Sequence, residues 1–240
     1  RLMRDVTQTA GAPLHLARPF TLRPSEPLAP EDVAPGDLPV LGERLAGSFR
    51  GFPFEAHLPL SGAHQVLNAG VAGLACELLR PGGRPLPPGV LKEGLEQVRW
   101  PARVELIATH PWEVIDSAHN QPSMRALMQA LRRHLRWDRL IVVLGSSKDK
   151  PVEAIAQELA EADHVVLTEA ALSRAMPVET LEERTECYLR SYEAIISPVE
   201  ALCRARELAG PRDLICITGS IFVLGDLLEA GEIGSLLAEI

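Results

Sequence analysis

The chain has 240 residues, 46% of them hydrophobic, and a formal charge of −8 at pH 7. That length suits one large domain or two small ones, and that composition supplies a real core. The negative balance argues against nucleic acid as the main partner, because phosphate backbones need a basic face.

Cys76, Cys187, Cys203 and Cys216 are scattered, with no CxxC and no short spacing to histidine. Metal ligation by these thiols is not expected, and Cys216, inside an apolar run, reads as core. Reduced thiols fit a cytoplasmic protein. No apolar run reaches membrane-spanning length, and the first residues do not form a signal peptide. The chain opens on Arg1 without Met, in what reads as the middle of an element. A fragment of a longer protein is the expectation; a cleaved or engineered start is the alternative.

Arg1 to Gly11 reads as a helix tail and Pro13 to Ala17 as a short strand. Residues 18–47, rich in Pro, Glu, Asp and Gly, read as an irregular excursion. Ser48 to Leu60 alternates apolar and polar residues, which predicts one or two strands with a hairpin near Gly51. From His64, the residues Leu67, Val71, Leu74 and Leu78 recur at helical spacing to about Leu79. Pro81-Gly82-Gly83 ends that helix, and Pro88 to Val98 predicts another. Pro101 then pushes Trp100 out of the helical region, so a hinge and a domain boundary fall at residues 98/99.

Beyond the hinge, strands and helices alternate. Strands are predicted at Val104–Ile107, Glu113–Ile115, Arg139–Gly145, His164–Thr168, Tyr192–Ser197 and Asp213–Thr218. Helices are predicted from Ser123 to Leu135, from Pro151, from Pro177 to Cys187, from Pro198 to Ala209 with an Arg-rich outer face, and after Ser220. This rhythm predicts an α/β domain with a parallel or mostly parallel sheet wrapped by helices.

In such folds, ligands bind beyond the carboxyl ends of the strands. Four groups fall there: Asp116 with His119, the loop Ser146 to Lys150, Arg174, and Thr218-Gly219-Ser220. Asn68 and Arg103 lie either side of the hinge. Basic and small residues at strand ends suit a phosphate or carboxylate. Each also has a plainer reading. Asp and Asn before a helix commonly cap it, Ser220 can be an N-cap, Lys148 and Lys150 can be solvated loop charges, and Arg103 can be a surface ion pair.

The ordered set His64-Gln65-x-x-Asn68-Ala69, Gly94-Leu95, Trp100-Pro101-Ala102-Arg103, Asp116-Ser117-Ala118-His119-Asn120, Gly145 with Lys148-Asp149-Lys150, Arg174-Ala175 and Thr218-Gly219-Ser220 resembles one family. It is the folylpolyglutamate synthase/dihydrofolate synthase family, a branch of the Mur ligase superfamily. The resemblance covers about residues 60–225. Two departures are visible: the family more often has Gly at Ala102, and usually Gly or a Val-like residue at Ser117.

The resemblance implies the tail of a central ATP-binding domain over residues 1–98 and a Rossmann-like glutamate ligase domain over 99–240. It implies ATP-driven amide formation through an acyl phosphate, with L-glutamate and a folate or dihydropteroate as partners. By that resemblance Asn68, Arg103 and Asp116 contact ATP, and His119 and Ser220 lie on the glutamate side. Arg103, just past the hinge, can neutralise charge on a transferring phosphoryl group, and Arg103 and His119 are the candidate catalytic residues. Glutamate carries two carboxylates, so Lys148, Arg174 or the helix N-terminus at Ser220 can hold one. Neither a nucleic acid nor a membrane is an expected partner, and a monomer is expected. No GxxxxGK[ST] loop occurs in these residues, so the phosphate loop and the Mg²⁺ ligands are expected upstream, and the chain alone is expected to be inactive. A cell-wall Mur ligase fragment and a non-catalytic nucleotide-binding module are the alternatives.

Overall fold

The computed structural model describes residues 15–17, 20–23, 26–34, 37–79 and 83–234. The expected helix tail at Arg1–Gly11 lies outside them. His15–Ala17, the described part of the expected first strand, is not extended into a sheet. The chain forms two compact units. One takes in Glu43–Leu58, Ala63–Val98 and the described residues up to Arg23; the other takes in Arg99 onward with Pro24–Gly42 and Pro59–Gly62.

The first unit is a three-stranded antiparallel sheet with two helices. Its strands β1 (Thr21–Leu22), β2 (Glu43–Phe49) and β3 (Phe52–Leu58) pair in chain order. The strands thus begin inside the stretch expected to be irregular. The hairpin turn is Arg50-Gly51, with φ of 54° and 83°. A two-residue turn with both φ positive matches the twist of its strands, and glycine meets that demand without strain. Alternation along β3 buries Phe54, Ala56 and Leu58, and Phe20 stacks on Phe54 with ring centroids 5.0 Å apart.

Helix α1 spans Ala63–Leu79 and α2 spans Pro88–Glu96. The helical spacing located α1, but the large apolar residues that mark it do not make up its buried face. Leu67, Val71 and Leu78 are exposed, whereas Val66, Ala69, Gly70 and Gly73 are buried. The buried side is small, so the helix can lie close to Phe49 and Leu91, and a Cβ on Gly73 would sit 3.5 Å from Leu91. Close backbone approach favours small residues over the large apolar ones that a periodicity count follows.

The second unit is a six-stranded sheet in the order β4-β5-β9-β6-β7-β8. Its strands are β4 (Glu105–Thr109), β5 (Trp112–Ile115), β6 (Leu140–Leu144), β7 (His164–Leu167), β8 (Tyr192–Ala194) and β9 (Leu214–Thr218). Only β4 runs antiparallel to its neighbour; the other pairings are parallel. Its helices are α3 (Gln121–His134), α4 (Val152–Glu158), α5 (Val178–Thr185), α6 (Pro198–Leu208) and α7 (Ile221–Glu229).

Strands buried on both faces read as continuous apolar runs, as Leu-Ile-Val-Val-Leu does in β6. Alternation sends Leu140, Val142 and Leu144 into a core with α3, α4 and α5, and Ile141 and Val143 into a second core with α6 and α7. Each such side chain contributes about 1.5–3 kcal/mol by leaving water. The Arg-rich face of α6 is not simply solvated. Arg206 turns onto the buried Glu113 at 2.8 Å and onto Glu232 at 2.9 Å.

Relative to a division at 98/99, the second unit gains residues 24–42 and 59–62. Leu28 donates its N–H to His134 O at 2.8 Å and accepts from Arg136 N–H at 2.7 Å, and Glu31 pairs with Arg212 at 2.7 Å. Two backbone bonds and one ion pair leave no periodic signature in a sequence. Among the described residues no helix is long and apolar enough to cross a membrane.

Candidate functional site

Strand β9 returns between β5 and β6, so the winding direction reverses there. The crevice beyond the carboxyl ends of such strands is where α/β sheets place their sites. Asp116 follows β5, Gly145-Ser146 follows β6, and Gly219-Ser220 follows β9. Ile115 is in register with Ile217, and Leu144 with Thr218, so the three ends lie level.

Two glycines set the spacing of this edge. Gly219 has φ of 91°, and a Cβ there would lie 2.1 Å from the Gly145 carbonyl oxygen and 2.6 Å from Leu144 Cδ1. Only a residue without a side chain fits that approach. Ser220 then caps α7, its Oγ accepting from Phe222 N–H at 3.2 Å, and its side chain is buried. Its plainer reading as a cap is therefore a structural fact. Beside it, the buried Ser146 and Thr218 hydroxyls have no hydrogen-bond partner among the described residues.

Lys148 and Arg174 come together on two apposed loops. Lys148 N–H donates to Arg174 O at 3.1 Å, and Lys148 Nζ donates to Ser173 O at 2.7 Å. The Arg174 guanidinium lies 5.5 Å from the centre of the Phe222 ring and 3.9 Å from Asp149. A guanidinium over an aromatic face is held by the ring quadrupole while its N–H groups stay available. The Lys150 ammonium bonded to Asp149, with Lys150 and Arg174 as nearby charges, holds the Asp149 carboxyl below the usual range.

A second cluster gathers around Asp116, which is only 6% exposed. Its Oδ2 accepts from Val104 N–H at 2.9 Å and its Oδ1 from Ala118 N–H at 2.7 Å. Asp116 does not cap α3; Asn120 does, accepting from Ser123 N–H at 2.9 Å. Burial pushes the Asp116 carboxyl up, and the two N–H donors and the charges of Arg103 and His119 offset this only in part. Burial with the Asp116 charge nearby also pushes the Cys216 thiol up, so Cys216 is an inert core residue. His119 is exposed and its Nδ1–H donates to Ser117 O at 2.9 Å. A carbonyl only accepts, so this bond places the proton on Nδ1 and turns Nε2 outward.

Arg103 stands between two left-handed residues, Ala102 with φ of 56° and Val104 with φ of 51°. The expected strand start at Val104 thus moves to Glu105. A β-branched residue in this region is an outlier, at a cost of about 1–3 kcal/mol. Among the described residues the Arg103 guanidinium has no hydrogen-bond or ion-pair partner; it acts on Asp116 through its field. It is not a surface ion pair.

Asn68 belongs to the first unit. It is exposed on α1, where its Nδ2–H donates to Gln65 Oε1 at 3.1 Å. Reasoning from sequence missed Glu105, whereas Ser146 and Thr218 belong to the strand-end groups it did single out. Among the described residues no group of three or more His, Cys, Asp or Glu side chains could hold a metal ion.

The raised Asp116 carboxyl makes a pH-dependent prediction. With a folded value above the ordinary 3.8, the folded state binds the extra proton. The wild-type chain therefore loses stability as pH rises from below that ordinary value through the folded one. Asp116→Asn lacks the group. Its Tm minus the wild-type Tm should rise across that window and level off towards neutrality. Thermal melts at several pH values check this, and a difference that falls with pH would contradict it.

Residues 102–221 match the glutamate ligase domain of the Mur ligases. Over 173 residues the chain is 31% identical to a probable bifunctional folylpolyglutamate synthase/dihydropteroate synthase of Haloferax volcanii, spanning 72% of this chain and 20% of that protein. Over 170 residues it is 27% identical to a dihydrofolate synthase/folylpolyglutamate synthase of Bacillus subtilis, spanning 70% of this chain and 39% of that one. Among solved structures, a folylpolyglutamate synthase of Mycobacterium tuberculosis complexed with ADP and AMPPCP has a TM-score of 0.76 at 24% identity. That likeness covers 95% of this chain and 52% of the other, and it shows the fold. The chain thus spans about half of that solved relative and less of the two curated ones.

Proposed function

Because this chain belongs to the Mur ligase family, in its folylpolyglutamate synthase/dihydrofolate synthase branch, we propose that it is the carboxy-terminal portion of an ATP-dependent ligase. The ligase adds L-glutamate to a folate or dihydropteroate, in the cytoplasm. Residues 1–98 form the tail of its central ATP-binding domain and residues 99–240 its glutamate ligase domain. ATP supplies the phosphoryl group that turns the acceptor carboxylate into an acyl phosphate, which the glutamate amine attacks. The observation that carries this reading is the Arg103 cation, without an ion-pair or hydrogen-bond partner among the described residues, beside the buried Asp116 on the site edge of a mostly parallel sheet.

In this reading Arg103 neutralises charge on the transferred phosphoryl group. Asp116 keeps acceptor capacity for a ribose hydroxyl, since each carboxylate oxygen has a second lone pair. Asn68 offers its amide to the base. Lys148, Arg174 and the α7 N-terminus at Ser220 suit the carboxylates of glutamate, and His119 Nε2 suits its amine. For magnesium, the described residues offer no donor set, and its ligands belong to the part of the ligase upstream.

The 240-residue chain alone should bind Mg-ATP feebly and not hydrolyse it. A few hydrogen bonds and one partly solvated ion pair give ~3–5 kcal/mol, a Kd of order millimolar. Titration calorimetry at micromolar protein should show little heat, and phosphate release should stay at background. Micromolar binding, or hydrolysis lost in Asp116→Ala, would mean that a complete nucleotide site lies within these residues.

A further inference from the structure

Arg103 is the one residue of its loop whose side chain the function uses, yet its neighbours hold the unfavourable backbone. Ala102 and Val104 are both left-handed, and neither is glycine. Such a conformation persists only where the surroundings over-determine it. Here the surroundings are two carboxylates. Glu105 Oε2 accepts from Ala102 N–H at 2.7 Å, and Asp116 Oδ2 accepts from Val104 N–H at 2.9 Å. Ser117 N–H closes the bracket on Ala102 O at 3.1 Å. Both amides next to Arg103 are thus tied, and all three ties come from within the second unit. The remaining freedom of Arg103 lies in its own side chain.

The geometry points to Glu105 and Asp116 as positioning residues that hold Ala102 and Val104 left-handed and so aim Arg103 into the site. The inference rests on the function proposed above, and it adds Glu105, which that function does not otherwise need. It also gives Asp116 work besides any contact with nucleotide. Burial raises both carboxyls from their ordinary values; Asp116 is buried and Glu105 half-buried, so water is kept from the Asp116 bond in particular. Asparagine cannot replace Asp116 in full, since its NH₂ group would face one of the two backbone donors.

The test joins turnover in the longer ligase to backbone order in the 240-residue chain. Glu105→Ala should lower kcat about tenfold or more, because small misplacements of a catalytic group are costly. Glu105→Gln, whose amide oxygen can still accept from Ala102, should keep most of the activity. Adding Ala102→Gly to Glu105→Ala should return kcat to within about threefold of wild type, since glycine reaches the left-handed region unaided. In the chain itself, amide exchange at Ala102 should quicken about tenfold in Glu105→Ala with little change in Tm, and exchange at Val104 should quicken about tenfold in Asp116→Asn, beyond what its Tm at the same pH accounts for. Unchanged exchange in both variants, wild-type turnover in Glu105→Ala, or no recovery with glycine would overturn the proposal. A wild-type ligase without glutamate-dependent turnover would overturn the proposed function instead, and the exchange rates would then decide the bracket on their own.

Discussion

Replacing Arg103 with alanine in a ligase that carries this chain should cut kcat by about 10²-fold or more while leaving the KM for glutamate near its original value. The guanidinium has no ion-pair or hydrogen-bond partner among the described residues, so its removal breaks no direct contact; it takes a nearby charge from the buried Asp116, which keeps its two backbone N–H bonds. Its backbone is held by neighbours on both sides, so the loop should keep its shape. The loss is then the loss of a cation that meets charge developing on a phosphoryl group. A contact made chiefly in the transition state appears in kcat rather than KM. Lysine should restore only a fraction, because a point charge does not reproduce a planar fork of donors. Steady-state kinetics check both numbers. Normal turnover with a raised glutamate KM would move Arg103 to the amino-acid site.

Gly219→Ala should be the most damaging methyl that can be added to the second unit. At φ of 91° an L side chain costs about 1–2 kcal/mol. The new Cβ would also fall 2.1 Å from the Gly145 carbonyl oxygen, which is backbone and cannot rotate away. Overpacking of this kind adds about 1–3 kcal/mol. Together these lower Tm by on the order of 10 °C for a unit of this size. Relieving the clash must separate the ends of β6 and β9, and Ser220 and α7 move with them. Gly225, inside α7, is the control. Nothing lies within 4 Å of a Cβ there, so Gly225→Ala should stabilise by about 0.5–1 kcal/mol. Thermal melts of the two variants should diverge in opposite directions; equal effects would mean that the tight approach at Gly219 is not felt.

The second unit was largely legible because its strands are continuous apolar runs and its helices carry ordinary signals. Proline opens α3 at its second position and α6 at its first, and Asn120, Ser197 and Ser220 cap α3, α6 and α7. That was enough to place Asp116, Lys148, Arg174 and Ser220 on one edge before any distance was known. What escaped is non-local or conformational. Val104 and Asp116 are 12 residues apart and bonded through a backbone amide, which no side-chain pattern records. Valine is a poor candidate for a left-handed residue, so its φ could not be inferred from its identity. The buried face of α1 was not legible because it includes Gly70 and Gly73, which an apolar count passes over. Docking of residues 26–34 beside Leu135 rests on backbone bonds from a segment without periodicity.

Transfer of the acceptor's carboxylate oxygen tests the central claim most directly. If the acid is activated as an acyl phosphate, one carboxylate oxygen bridges carbon and phosphorus and leaves with phosphate when the amine attacks. A ligase carrying this chain, given ATP, glutamate and a folate or dihydropteroate labelled with ¹⁸O in its carboxylate, should release inorganic phosphate bearing one labelled oxygen for each amide formed. Unlabelled phosphate, or phosphate released without regard to glutamate, would contradict the account.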